Sequence, residues 1–204
     1  MKRKILIVGR SGSGKDAVAH ALTRLFGLKQ LCSTTTRPIR YEGEDSHVFV
    51  TEEEASMMTN RVAETVINGY QYFATKEQLD ECDVYVIDPF GLKTLCERSP
   101  ETDLCVVYVN VKTEIRKERA MKRAADPEEA ARIFEARHVD ENKMFCEFEN
   151  DIYESNIKEW MLKYPNIEIA ITLENNGSDK EIMNHFAKLV ESASRKEEPG
   201  IYHW

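Results

Sequence analysis

The sequence predicts an α/β fold in which a parallel sheet carries helices on both faces. Three short apolar runs, at residues 4–8, 83–88 and 103–111, are bounded by charged or turn residues, as buried strands are. Helical patterns separate them, and a fourth apolar run, IEIAITL at 167–173, comes late in the chain. Because strands that alternate with helices pair in parallel through crossover connections, we expect one central sheet.

The length and composition predict a single soluble domain over residues 1–204, with 42% apolar and 31% charged residues. A formal net charge of −8 argues against a nucleic-acid partner, which needs a basic face. No apolar run approaches the ~20 residues of a membrane span, and the start MKRKILIV is too short for a signal peptide. Five scattered cysteines indicate reduced thiols, so we expect a cytoplasmic protein without a membrane partner. The oligomeric state is not encoded in a recognisable pattern.

Capping residues predict where the helices begin and end. Gly27 stands at a C-cap position, so a first helix is expected from Lys15 to Phe26. In DPEE at 126–129, Asp126 is a predicted N-cap and Pro127 opens a long helix. Further helices are predicted near 89–98, from Thr113 to about Arg123 and from about Asp179 to Glu191, before a loose tail at 192–204.

The stretch 34–80 interrupts the alternation of strands and helices and is predicted to be an inserted lobe. Asn68-Gly69, between VAETVI and YQYFAT, is a strong hairpin signal. Just before the lobe, KQLCS at 29–33 is expected to form a second strand. Two capping boxes, Thr51 with Glu54 and Thr75 with Gln78, open short helices.

Residues 9–15, GRSGSGK, follow the first strand and open the first helix, which is the context of a phosphate-binding loop. Successive backbone N–H groups and the positive helix end form an anion cradle, and Lys15 reaches the outer phosphates. The loop resembles that of the P-loop NTPases, and this resemblance implies a three-layer sandwich that uses ATP and Mg²⁺. The residues predicted to bind the nucleotide are Gly9, Arg10, Ser11, Gly12, Ser13, Gly14, Lys15 and Asp16.

Asp16 stands where the usual loop has serine or threonine. A carboxylate about 4 Å from a phosphate charge costs roughly 4 kcal/mol at an effective dielectric near 20. A Mg²⁺ between them reverses the sign, because carboxylates are good magnesium ligands, so Asp16 is predicted to be a metal ligand. The alternative is that Asp16 only favours the first helical turn through the helix dipole.

The phosphate loop together with STTTRPIRYEGEDSHVFV at 33–50 resembles the guanylate kinases, a family of P-loop nucleoside monophosphate kinases. The resemblance covers most of the chain in order and includes a Glu-bearing hairpin, an Asp-x-x-Gly after a strand, and an arginine-rich lid region at 116–140. It implies that the 34–80 lobe binds the acceptor. It also implies ATP-dependent phosphoryl transfer to a small phosphorylated molecule, GMP or dGMP, which yields GDP or dGDP.

The resemblance also implies a set of acceptor-binding residues. Arg37 and Arg40 would grip the acceptor phosphate, and two planar guanidinium forks suit a dianion. Glu64 would accept from the N1–H and the 2-amino group of guanine, which adenine does not offer. The remaining substrate-binding candidates are Ser33, His47, Thr75 and Asp88.

The catalytic residues implied by the same resemblance lie in the loop, the lobe and the lid. The lid arginines would close over the transferring phosphoryl group, although basic residues on a helix face are usually solvated or paired with neighbouring glutamates. Asn175 or Asn176 is a weaker candidate beside the nucleotide base. The catalytic set is Lys15, Arg37, Arg119, Arg123 and Arg132.

Some positions depart from the guanylate kinase pattern. Two tyrosines that help to hold the acceptor phosphate in that family correspond to His47 and Phe73, and the first acid of its Asp-x-Asp is Val86. The Gly-Lys-Asp of the loop and the histidine in a shortened acceptor loop also resemble ribose 1,5-bisphosphate phosphokinases. Two alternatives therefore stay open: a ribose 1,5-bisphosphate phosphokinase and a non-catalytic guanylate kinase-like binding module.

Overall fold

The computed structural model describes residues 3–153, 157–176 and 200–203, so the helix predicted at 179–191 lies outside the described residues. Along the described chain the elements follow one another as β1 (Lys4–Val8), α1 (Lys15–Phe26), β2 (Thr34–Thr35), β3 (Val48–Phe49), α2 (Glu52–Met57), β4 (Arg61–Ile67), β5 (Tyr70–Thr75), α3 (Lys76–Glu81), β6 (Val84–Val86), α4 (Pro89–Arg98), β7 (Leu104–Asn110), α5 (Thr113–Arg123), α6 (Pro127–Tyr153), α7 (Ile157–Lys163), β8 (Ile167–Glu174) and β9 (Gly200–His203).

The central sheet has the strand order β6-β1-β7-β8-β9, and its neighbouring strands all pair in parallel. Successive side chains of a strand point to opposite faces. Ile5 and Ile7 of β1 therefore pack with α1, whereas Leu6 and Val8 belong to the core that includes residues of α4 and α6. This arrangement of helices on both faces confirms the predicted α/β class.

A second, smaller sheet with the order β3-β2-β5-β4 lies within residues 34–75. The β4–β5 hairpin turns at Asn68 and Gly69, whose φ angles of 53° and 82° match the left-handed turn that the Asn-Gly pair predicts. Both predicted capping boxes are present, at Thr51 and at Thr75. The local signals of this stretch are therefore confirmed.

Two predictions about strands are wrong. Residues 29–33 do not form a strand, because only Gln30 makes a bridge, to Val84, before the chain turns away into the second sheet. Of the predicted loose tail at 192–204, the structure describes residues 200–203, and these form strand β9, which pairs in parallel with β8 from Ile169↔Gly200 to Thr172↔His203. Among the described residues, no helix is long and apolar enough to cross a membrane.

Candidate phosphate and acceptor site

The phosphate loop connects β1 to α1 and has no room for side chains at its glycines. Gly14 has a φ of 87°, and a Cβ there would lie 2.6 Å from Asn175 Nδ2. A Cβ at Gly12, with a φ of 79°, would lie 3.1 Å from the carbonyl oxygen of Arg116. The first amides of α1 have no partner within the helix and sit at its positive end. The loop backbone therefore suits an anion such as a phosphate chain.

Two side chains that the sequence analysis named, Arg119 and Asn175, donate hydrogen bonds to carbonyl groups of the loop. Arg119 Nη1 donates to Gly12 O at 3.2 Å, and its Nη2 donates to Asn175 O at 3.0 Å. The buried Asn175 donates through Nδ2 to Ser13 O at 2.7 Å. Arg119 thus supports the loop and the segment after β8, whereas the resemblance placed it in a lid.

Lys15 and Asp16 lie together at the start of α1. Lys15 Nζ is 3.7 Å from Asp16 Oδ2, and the Asp16 side chain is 69% exposed. An exposed carboxylate beside the phosphate cradle has the chemistry to hold Mg²⁺ jointly with phosphate oxygens. Within residues 3–153, 157–176 and 200–203, no group of three or more His, Cys, Asp or Glu residues could hold a metal ion on its own.

Helix α6 binds the loop through two carboxylates that sequence reasoning missed. Arg10 donates through Nε and Nη2 to the two carboxylate oxygens of Glu149, each at 2.7 Å. Burial alone would lower the pKa of Arg10, but the hydrogen-bonded Glu149 raises it. Glu141 Oε1 accepts from the Ser11 amide at 2.7 Å and pairs with Arg116 of α5. The only sequence signal for Arg116 was its place one turn before Arg119.

Arg37, in the 34–80 stretch, is buried and already has an anionic partner. Its Nη2 donates to Glu44 Oε1 at 2.7 Å and its Nη1 to Glu44 Oε2 at 3.3 Å. Glu44 also accepts from the Arg40 amide at 2.8 Å, while the Arg40 side chain is exposed. Arg37 Cζ lies 5.1 Å from the centre of the Phe49 ring. The ion pair therefore fixes the guanidinium group and folds the turn between Arg37 and Arg40.

The lowered pKa of Glu44 predicts that the folded protein loses stability in acid. Arg37 above all, then the Arg40 amide and Ser46, lower its pKa from 4.5 to about 2. Because the pKa is depressed in the folded state, this stabilisation is present above pH 4.5 and is lost as the pH falls toward 2. We expect urea-unfolding midpoints to fall across that window in the wild type and to fall less in Glu44→Gln. Glu42→Gln, in the same turn, is the control, and an unchanged profile in Glu44→Gln would contradict this assignment.

His47 lies among polar and aromatic side chains near Arg37. Its Nδ1 is 3.0 Å from Ser33 Oγ, and its ring meets Tyr72 edge-on with centroids 5.5 Å apart. Burial, and then the charge of Arg37, lower the pKa of His47 and favour the neutral imidazole. Two of the predicted acceptor residues, Ser33 and His47, are thus in direct contact.

The structure places an aromatic hydroxyl-bearing side chain, Tyr72, beside His47. Phe73 stands where the guanylate kinase resemblance places a phosphate-binding tyrosine. It is fully buried, and the Arg61 guanidinium lies 3.9 Å from the centre of its ring. The preceding residue, Tyr72, contacts His47 and contributes, after Glu44, to the raised pKa of Arg37. Tyr72 therefore brings a phenol close to His47 and Arg37, and sequence reasoning missed it.

Glu64, Thr75 and Asp88 have partners of their own. Glu64 accepts from Arg98 Nη2 at 2.8 Å and lies 3.7 Å from Arg61 Nη1, and hydrogen bonding by Arg98 is the main cause of its lowered pKa. The Thr75 hydroxyl caps α3. Asp88 caps α4 through the amides at positions 90 and 91, and burial raises its pKa.

Two of the three predicted lid arginines do not join the loop. Arg123 is exposed in the last turn of α5. Arg132 is exposed on α6 and pairs with Glu129 at 3.1 Å, one turn earlier on the same helix. The structure therefore brings Arg119, but neither Arg123 nor Arg132, against the phosphate loop.

Comparison with solved structures supports the same architecture. A guanylate kinase from Anaplasma phagocytophilum has a TM-score of 0.57 and 17% sequence identity, over 96% of this chain and 88% of that chain. A sugar kinase from Janibacter sp. HTCC2649, in its unliganded structure, has a TM-score of 0.44 and 13% identity, over 96% of this chain and 99% of that chain. The first likeness shows a shared fold, and the second is too weak to support an argument.

Sequence comparisons identify the family. No curated protein matches this sequence. A profile described as the AAA domain matches residues 5–140, which is well over half of the 204 residues and contains the phosphate loop. The chain belongs to this AAA domain family.

Proposed function

We propose that the protein is an ATP- and Mg²⁺-dependent phosphotransferase that acts on a small phosphorylated acceptor. The observation that carries this proposal is the backbone cradle between β1 and α1, with Gly12 and Gly14 in left-handed conformations and Lys15 directly after them. A row of amides at a positive helix end, followed by a lysine, is the device that binds a nucleotide phosphate chain.

The reaction would depend on positioning and on charge neutralisation. Lys15 and the amides of α1 would hold the phosphate chain of ATP, and Asp16 would supply one ligand to Mg²⁺. Bound there, Mg²⁺ would neutralise charge on the phosphates. Phosphoryl transfer needs no covalent enzyme intermediate when the two reactants are held in line.

We propose a nucleoside monophosphate, GMP or dGMP, as the acceptor. Arg37, Tyr72 and His47 lie close together, and a guanidinium group beside two further polar groups has the chemistry to bind a phosphate. A phosphate bound there would share Arg37 with Glu44, its partner in this structure. Glu64 lies on β4, next to Phe73 of β5 in the register of the same sheet, and its carboxylate is 39% exposed. A carboxylate can accept from both guanine N–H groups.

A ribose 1,5-bisphosphate acceptor is the second candidate, and the partners of Glu64 favour it. Arg98 and Arg61 already satisfy this carboxylate, so its structure is explained without a base. A phosphorylated ribose offers a phosphate to Arg37, Tyr72 and His47, and it presents no base to Glu64.

The test is ADP release from ATP–Mg²⁺ in the presence of GMP, dGMP, AMP, CMP, UMP or ribose 1,5-bisphosphate. We expect turnover with GMP and dGMP. Turnover with the sugar bisphosphate alone would establish the second candidate in its place. If no acceptor in the panel supports turnover, both proposed acceptors are wrong, and the non-catalytic binding module becomes the alternative to test.

Glu64→Ala separates the two acceptors. If Glu64 reads guanine, we expect kcat/KM for GMP to fall by about 100-fold or more, because buried base donors lose their partner. Turnover of a sugar phosphate would not change. Glu53→Ala, at an exposed glutamate of α2, is the matched control. Undiminished GMP turnover in Glu64→Ala would show that Glu64 does not read the base.

A further inference from the structure

The peptide groups of Ser11, in the middle of the phosphate loop, are held on both sides by one ion pair. The Ser11 amide donates to Glu141 Oε1 at 2.7 Å, and the Ser11 carbonyl accepts from Arg116 Nη1 at 3.2 Å. Arg116 Nη1 also lies 3.1 Å from Glu141 Oε2. The donor and the acceptor of one residue are therefore bound by two side chains that are bound to each other.

The ion pair is built into the fold and is well shielded. Arg116 is only 1% exposed, and its guanidinium lies 5.4 Å from the centre of the Phe134 ring. Its Nη2 makes further contacts, with Thr113 Oγ1 and His138 Nδ1, each at 3.3 Å. A charge-assisted hydrogen bond in such a shielded place is stronger than one in water.

The pair also joins the loop to two helices at once. Arg116 belongs to α5 and Glu141 to α6, so a shift of either helix moves a group that is bonded to Ser11. The backbone of Arg116 is close enough to Gly12 that a Cβ there would lie 3.1 Å from its carbonyl oxygen. The arrangement of α5 and α6 and the shape of the phosphate loop are therefore mechanically coupled.

We propose that Arg116 and Glu141 are positioning residues that fix the phosphate loop in its binding shape and link that shape to the packing of α5 on α6. This inference rests on the proposed nucleotide binding by the loop. Glu141 occupies the Ser11 amide and does not bind the amides at the start of α1, the first of which, that of Lys15, makes only a long 3.4 Å contact with Ser13 Oγ. The pair thus orders the loop without using the helix amides that bind the anion.

The first measurement is amide hydrogen exchange in the protein without nucleotide. It tests whether the Arg116–Glu141 pair holds the Ser11 peptide groups, independently of any activity. In Glu141→Gln we expect the Ser11 amide to exchange at least about ten-fold faster than in the wild type. Arg116→Lys, which keeps the charge but loses the fork, should have the same effect. Glu135→Gln is the matched control, because it breaks the Lys117–Glu135 pair between the same two helices without touching the loop. Unchanged Ser11 exchange in both loop variants would overturn the proposal.

The second measurement is the affinity for ADP–Mg²⁺, with melting curves to show that each variant is folded. We expect Glu141→Gln to bind about ten-fold more weakly and Glu135→Gln to bind as the wild type does. Equal or tighter binding by Glu141→Gln would overturn the positioning role, since it would show that the carboxylate competes with phosphate. A wild type that does not bind ADP–Mg²⁺ would refute the proposed function. The exchange data would still decide whether the Arg116–Glu141 pair holds the Ser11 peptide groups.

Discussion

Replacing Lys15 with alanine is expected to lower phosphoryl transfer by about a thousand-fold while leaving the fold intact. The lysine directly follows the loop glycines, its side chain is 24% exposed, and its Nζ lies 3.7 Å from Asp16 Oδ2. Losing one positive charge about 4 Å from a phosphate costs roughly 4 kcal/mol at an effective dielectric near 20. That free energy corresponds to a factor of about a thousand in rate.

ADP release under saturating acceptor measures this effect, and Lys29→Ala is the control. Lys29 pairs with Glu81 on the surface, and 62% of its side chain is exposed. The Lys29→Ala substitution therefore removes the same charge at a place away from the phosphate loop. Equal rates for the wild type and Lys15→Ala would mean that this loop does not take part in the chemistry.

Gly14→Ala is expected to weaken nucleotide binding strongly and to destabilise the protein. The left-handed backbone at Gly14 costs an alanine about 1–2 kcal/mol. The added Cβ would also lie 2.6 Å from Nδ2 of the buried Asn175, which is bonded to Ser13 O. Because the amide group of Asn175 is held by that bond and by Arg119, the loop has to shift. We expect ADP–Mg²⁺ affinity to fall by at least about 100-fold.

Gly27→Ala is the control that separates the steric clash with Asn175 from the free-energy cost of a left-handed backbone. Gly27 also has a left-handed φ, of 66°, but a Cβ there meets nothing within 4 Å. Thermal melting should show about 1–2 kcal/mol of destabilisation in Gly27→Ala with normal nucleotide affinity. If Gly14→Ala binds ADP–Mg²⁺ as Gly27→Ala does, the close approach of Asn175 has no role in shaping the site.

The parts of the fold that the sequence predicted correctly depend on neighbours along the chain. The loop and helix α1 follow from the glycine pattern, the hairpin from Asn68-Gly69, and two short helices from the capping boxes at Thr51 and Thr75. Each signal spans only a few residues, and each is a local backbone or capping preference. Such preferences act before any tertiary contact forms, so they are visible in the sequence.

The contacts that sequence reasoning missed depend on residues far apart in the chain. Glu141 meets the Ser11 amide across 130 positions, and Glu149 meets Arg10 across 139. Nothing in the composition of a charged helix shows which of its many carboxylates will face a loop. These partners become apparent only once α6 has packed over the loop.

The place of Tyr72 could not be predicted for a different reason, which is the face of the strand. Moving by one residue along a strand transfers a side chain to the other face of the sheet. Tyr72 lies on the face that carries His47, whereas Phe73 is fully buried beside Arg61. The sequence alone does not show which of these two neighbouring rings lies beside His47.

The most direct test of the central claim is a calorimetric titration of the wild-type protein with ATP in the presence of Mg²⁺. We predict saturable binding at one site per chain, which weakens sharply in Lys15→Ala and remains unchanged in Lys29→Ala. The absence of binding, or equal binding by the wild type and Lys15→Ala, would contradict the claim that the loop between β1 and α1 is a nucleotide phosphate site.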